Sequence, residues 1–138
     1  MYDTILVPTD GSDAANRATE HAASLARTFG AELCGLYIVD TRRYGKRTLG
    51  TEDVLEELED RGREILADLE ERADADQVQA TTDIVDGRPS SEIVAYADEI
   101  DADLIVLGNR GLGGGTEGTI GSNAERVVRY GDRPVITA

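Results

Sequence analysis

Leu104-Ile-Val-Leu-Gly-Asn-Arg-Gly111 and, after nine intervening residues, Gly121-Ser-Asn-Ala-Glu-Arg-Val-Val-Arg-Tyr130 form the stretch on which the reading of this chain turns. Leu104 to Leu107 is a short continuous apolar run, the pattern of a strand buried on both faces of a parallel sheet. Asn123 to Tyr130 reads as a helix with Ser122 supplying the N-cap oxygen. The glycines between them matter because backbone without Cβ takes positive φ and approaches a ligand closely: Gly108 and Gly111 shape a turn, and Gly121 admits an anion. The helix turns its free first-turn N–H groups and positive dipole end toward that loop, an arrangement suited to phosphate. Gly113-Gly-Gly115 has the look of a plain connector, and a lone glycine pattern is weak evidence.

A second strand-to-helix turn near the N-terminus strengthens the reading. Thr4-Ile-Leu-Val-Pro8 is another apolar strand that runs into Thr9-Asp10-Gly11-Ser12. A helix then extends to about Phe29, with Ala15, Ala18, Ala22, Leu25, Ala26 and Phe29 at helical spacing on one face and Gly30 ending it. Glu32 to Val39 is a strand, and Asp40 to Gly50 is a polar, irregular connection. From Glu52 to about Ala73, Val54, Leu55, Leu58, Ile65, Leu66 and Leu69 mark a helix packed by one stripe. The next strand, Gln79 to Val85, alternates, which suits a sheet edge. Asp86-Gly-Arg-Pro89 turns the chain into a helix through about Ile100, with Ser90 or Ser91 as its cap and Pro89 in its first turn. Pro134 to Thr137 is a short fifth strand.

Strands that alternate with helices imply a parallel sheet covered on both faces, because parallel pairing needs long, right-handed crossovers. The alternating third strand belongs at one edge and Pro134 is best tolerated at the other. The expected architecture is therefore an α/β domain spanning residues 1–138, with a five-stranded parallel sheet in the order 3-2-1-4-5. That order sets strands one and four side by side with crossovers leaving in opposite directions, so a crevice opens at their carboxyl ends. Asp10 and Gly108 line it.

Composition narrows the function. A chain of 138 residues buries an ordinary core without metal or disulfide help. Its single cysteine, Cys34, lies in the apolar run Leu33 to Val39, as a small buried hydrophobe does. No signal peptide or membrane-length apolar run is evident, so the expectation is a soluble, cytoplasmic protein that binds neither membrane nor, at 28 acidic against 14 basic residues, nucleic acid. One lysine, Lys46, among the 14 basic residues and abundant aspartate suggest a proteome adapted to concentrated salt. At molar salt the screening length is about 3 Å, so local donors decide whether a polyphosphate binds this acidic surface.

At this point the residues resemble a known family. Pro8-Thr-Asp-Gly-Ser12 after the first strand, Gly108-x2-Gly111-x9-Gly121-Ser122 after the fourth, and Glu125-Arg-Val-Val128 before Arg133-Pro-Val135 are similar to the universal stress protein family, over the whole domain. The resemblance implies the subclass that retains these glycines and binds ATP, with Mg2+ or Mn2+ as the accompanying ion and no protein side chain assigned to the metal. It places Asp10 at the base-and-ribose end with Pro8 and Thr9 beside it, and Val39 or its neighbour Ile38 where backbone groups meet adenine. It assigns Gly108, Gly111, Gly121 and Ser122 to ribose and phosphates, with Asn109 and Arg110 in the same loop. Asn123 departs from the apolar residue expected there, as an amide that donates to phosphate or caps the helix. Glu117 departs too, by bringing an anion near the phosphates.

Each residue also has a plainer role. Arg110 is the one cation inside the loop and is otherwise a solvated surface side chain. Asp10 beside Gly11 and Ser12 commonly closes an Asx turn. His21 has no partner histidine or cysteine and reads as structural. A P-loop needs Gly-Lys-Ser/Thr, which is absent, and a receiver domain needs a lysine after strand five. A dinucleotide Rossmann site puts its glycines after strand one, where only Gly11 occurs, and no spaced Cys/His set indicates zinc. With these set aside, the resemblance implies a regulatory ATP-binding module with an unidentified protein partner. A slow ATP hydrolase or phosphotransferase on the same site, for which Glu117 or Asp13 would have to orient the nucleophile, and a structural dimer without nucleotide are the alternatives. The edge strand Pro134 to Thr137 leaves backbone groups unpaired; antiparallel pairing of two copies about a two-fold axis covers both, and the resemblance points to the same homodimer.

Overall fold

In the computed structural model, which describes residues 2–41, 52–108 and 122–138, strands and helices alternate along the chain. They are β1 (Thr4–Pro8), α1 (Asp13–Phe29), β2 (Glu32–Asp40), α2 (Glu52–Ala75), β3 (Ala80–Gly87), α3 (Pro89–Glu99), β4 (Leu104–Leu107), α4 (Ser122–Tyr130) and β5 (Val135–Thr137). The sheet runs β3-β2-β1-β4-β5 with every pair parallel. This is the order argued from the edge strands. β1 and β4 are buried almost throughout, which is why they read as unbroken apolar runs, while β3 has no fully buried residue.

Side chains alternate along each strand, so the sheet has two apolar faces. On one, Ile5, Val7, Leu33, Leu104 and Val106 are covered by Ala18, Ala22, Ala23 and Ala26 of α1 and by Leu69 and Ala73 of α2. On the other, Leu6, Leu36, Ile105 and Leu107 are covered by Ile93 and Ala97 of α3 and by Ala124 and Val127 of α4. The alanine face of α1 carries little bulk, which lets that helix lie close over the central strands. No helix among the described residues is long and apolar enough to cross a membrane.

The ends of α1 follow the sequence signals. Ser12 Oγ accepts from Ala15 N–H at 3.1 Å, and Gly30 closes the helix in the left-handed region at φ 67°. At α3 the expected serine cap is not formed: Pro89 occupies the first turn, Arg88 holds the cap position without a side-chain bond, and Ser90 is buried inside the helix. The fixed φ of proline starts the helix one residue before a serine could cap it. Two stripe residues also turn outward. Phe29 is 43% exposed and meets Tyr2 edge-on with centroids 5.1 Å apart, since Ala26 already fills the sheet contact of that turn. Val54 is 39% exposed because its neighbour Leu55 takes the inward position. Arg133 latches the end of α3 to the entry of β5 by donating to Asp98 Oδ1 (3.2 Å), Asp101 Oδ1 (3.1 Å) and the Ala102 carbonyl.

Candidate functional site

β1 pairs with β2 on one side and β4 on the other, and α1 leaves β1 over one face while α4 follows β4 over the opposite face. A reversal of this kind opens a crevice at the carboxyl ends of the two central strands. The crevice begins where Pro8 gives way to Thr9 and Leu107 to Gly108.

The first wall is the Thr9–Ser12 turn, and it is wired internally. Thr9, 2% exposed, donates its N–H to the Leu36 carbonyl at 2.9 Å. Its Oγ1 accepts from Gly11 N–H at 3.2 Å, Asp10 Oδ1 accepts from Ser12 N–H at 2.9 Å, and Gly11 sits at φ 79°. The Asx turn weighed as the plain role of Asp10 is therefore present. The amides of Gly11 and Ser12 are thus committed to side chains of the turn itself, and that of Thr9 to the β2 backbone.

The second wall is the end of β2. Glu32 N–H bonds the Asp3 carbonyl and Thr9 N–H bonds the Leu36 carbonyl, so even-numbered residues of β2 direct backbone groups toward β1. Odd-numbered residues direct theirs toward β3, as Leu33 N–H does to Gln79. β1 pairs only as far as Leu36, whereas β2 continues to Asp40 on β3 alone. Beyond the end of β1 it is thus Ile38 that turns N–H and C=O to the crevice, and Val39 that turns them to β3. Both side chains are buried, on opposite faces of the sheet.

Gly108 closes the floor for a reason invisible in sequence. A Cβ there would lie 2.8 Å from Ala14 C and 2.9 Å from Ala15 N. The residue lacks a side chain because the first turn of α1 lies against it, which also fixes where the Thr9–Ser12 turn stands. On the far side, α4 starts at Ser122, and Asn123 is 2% exposed in its first turn. Asn109, Arg110, Gly111 and Gly121, with the side chain of Ser122, lie outside the described residues, as does Glu117.

Other groups singled out in the sequence sit away from this chemistry. Cys34 Sγ accepts from Thr81 Oγ1 at 3.3 Å, and burial pushes its thiol up, so it stays protonated and inert at neutral pH. His21 is an exposed residue of α1. No group of three or more His, Cys, Asp or Glu among the described residues is arranged to hold a metal. A cavity of about 840 Å³ lies between α2 and the outer strand β3, and its charged lining is Glu59, Arg63, Glu70, Asp83 and Asp86. Four carboxylates against the one guanidinium of Arg63 make it a poor seat for a polyanion.

Comparison with known proteins agrees with this architecture. The model of the universal stress protein family matches residues 1–138. Universal stress protein MJ0531 of Methanocaldococcus jannaschii is 36% identical over 138 residues, covering 99% of this chain and 81% of that protein. Among solved structures, MJ0577 of the same organism superposes with a TM-score of 0.90 at 25% identity, covering 100% of this chain and 96% of that one. A universal stress protein of Archaeoglobus fulgidus solved in complex with dAMP gives 0.74 at 27% identity, covering 99% of this chain and 97% of that one.

Proposed function

The chain belongs to the universal stress protein family, and from that premise we propose that it binds ATP, with Mg2+ or Mn2+, in the crevice between β1 and β4 as a regulatory module. The observation that carries the reading is the switch point itself: a buried parallel pair, β1 and β4, with the polar Thr9–Ser12 turn after one strand and, in the sequence, a glycine-rich segment between the other strand and α4. The Archaeoglobus relative with dAMP supports an adenine nucleotide as the class of ligand. In this reading Ile38, favoured over Val39 by the backbone alternation of β2, meets adenine. Asp10 with Pro8 and Thr9 borders base and ribose. Gly108, Asn109, Arg110 and Gly111 border ribose and phosphates, and Gly121, Ser122 and Asn123 present the start of α4 to the phosphates. In this reading no protein side chain is assigned to the divalent ion, which would accompany the phosphates.

Denaturing the purified protein and analysing the supernatant by mass spectrometry tests the class of ligand, and calorimetry with magnesium-loaded ATP at several salinities tests the affinity. Gly121→Val should abolish binding; absence of heat from the wild-type chain at every salinity refutes the site. Single-turnover hydrolysis separates a binding module from a slow ATPase, with Gly121→Val as the control for contaminating activity.

The homodimer is assigned to β5. This strand pairs with β4 through its even-numbered residues, as the Pro134 carbonyl and Ala138 N–H show, so Val135 and Thr137 turn backbone groups outward. Val128, 52% exposed, lies on the flank of α4 opposite the Arg126 and Tyr130 side, which borders α3. Thr137→Pro removes one outward N–H without touching the β4 ladder and should yield monomer in light scattering; an unchanged dimer mass refutes this interface.

A further inference from the structure

Two residues of α2, Gly62 and Ile65, stand three apart on one helix face and reach both walls of the crevice. A Cβ on Gly62 would lie 2.4 Å from Cδ1 and 2.9 Å from Cγ of Tyr37, so that buried ring packs directly on the helix backbone. Tyr37 opens the section of β2 that has outrun β1, where the strand is held by β3 on one side only. The next residue is Ile38. At the other wall, a Cβ on Gly11 would lie 2.8 Å from Ile65 Cδ1. Behind that turn a pocket of about 70 Å³, bordered by Thr9, Gly11, Asn16, Thr19 and Ile65, separates it from the seam of α1 and α2. Ile65 is the apolar side chain that spans the gap to Gly11. The height of α2 over the sheet is itself set by Gly35, where a Cβ would lie 2.8 Å from Leu69 Cδ1.

We propose that Gly62 and Ile65 are positioning residues of the nucleotide crevice: through Tyr37 and Gly11 they hold the adenine-side strand end and the Thr9–Ser12 turn at a fixed separation, without touching the ligand. The proposal rests on the nucleotide reading above, and its test has one readout that does not. In nucleotide-free protein, amide hydrogen exchange at Gly11 and Ser12 reports the turn directly, since those N–H groups bond Thr9 and Asp10. Val78→Ala, a core truncation at the opposite end of the sheet, serves as the destabilised control. Ile65→Ala should speed exchange at both amides about tenfold beyond Val78→Ala, while Ile65→Val stays near wild type. Gly62→Ala should weaken magnesium-loaded ATP about tenfold, and adding Tyr37→Leu, which makes room for the new methyl group, should restore most of the affinity. Equal exchange in Ile65→Ala and Val78→Ala, or wild-type affinity in Gly62→Ala, overturns the proposal. Failure of the wild-type chain to bind ATP sinks the nucleotide reading instead, and the exchange comparison then still decides whether α2 sets the turn.

Discussion

Replacing Gly108 with alanine separates two reasons for a glycine at the end of β4. If Gly108 serves only to let a ligand approach, nucleotide-free protein should tolerate the methyl group. The structure argues otherwise, because the new Cβ would stand 2.8 Å from Ala14 C, 2.9 Å from Ala15 N and 3.0 Å from Ala14 O. All three are backbone atoms of the first turn of α1, and no rotamer change relieves them. Relief requires α1 to move against β4, where Ala15 and Ala18 are almost wholly buried. Overpacking against yielding side chains costs about 1–3 kcal/mol, and two rigid backbones put this case at the upper end, about 2–3 kcal/mol. For a chain of this size that lowers Tm by about 6–12 °C. Gly30→Ala is the control: it meets nothing within 4 Å, so only the left-handed φ of 67° opposes it, at about 1–2 kcal/mol. Urea and thermal melts of both variants without nucleotide give the comparison. Wild-type stability in Gly108→Ala, or a larger loss in Gly30→Ala, would show that the steric argument is mistaken.

Three further outcomes can be measured on the same footing. Arg133→Ala should cost about 1 kcal/mol, because its carboxylate partners are largely exposed; the part due to the Ala102 carbonyl should persist at high salt while the part due to Asp98 and Asp101 is screened, which melts at two salt concentrations resolve. Burial and then the Asp83 carboxylate push the Tyr96 phenol up to about 12. A folded-state value above the unfolded one near 10 means the neutral phenol supports the fold below pH 10 and that support is lost as pH rises from about 10 to about 12; urea midpoints across this range should fall less in Tyr96→Phe than in wild type. Finally, a net charge of −14 should make the fold salt-dependent, with Tm rising from dilute buffer to molar salt; a flat Tm would contradict the adaptation to salt expected from composition.

The fold was legible because its signals are local or depend on which face a residue occupies. Leu104 to Leu107 is apolar at every position because both faces of β4 are covered, and β3 alternates because it lies at an edge. Those two patterns, with Pro134 at the other end, were enough to order the sheet. Helix ends were less legible where two signals compete. Pro89 and the serines after it both announce a start, and the proline's fixed φ prevails over the hydroxyl. Phe29 and Val54 match their helical stripes yet face outward, since periodicity gives an angle around the helix but not whether a neighbouring side chain has already filled the space.

At the candidate site, what could be read was the set of polar turns at one end of the sheet, and what could not was distance. Gly11, Gly62 and Gly108 are alike as letters, but the structure gives each a different neighbour: Ile65 Cδ1 at the first, the Tyr37 ring at the second, the backbone of α1 at the third. These contacts join residues about fifty, twenty-five and ninety positions apart, so no spacing rule reaches them. The same holds for the choice between Ile38 and Val39, which depends on β1 ending at the level of Leu36 while β2 runs on to Asp40. A motif names the residues that meet a ligand; the glycines that let two walls stand at the right separation are selected by packing. Substitutions at Gly62 or Ile65 are accordingly expected to alter affinity while leaving every residue of the motif intact.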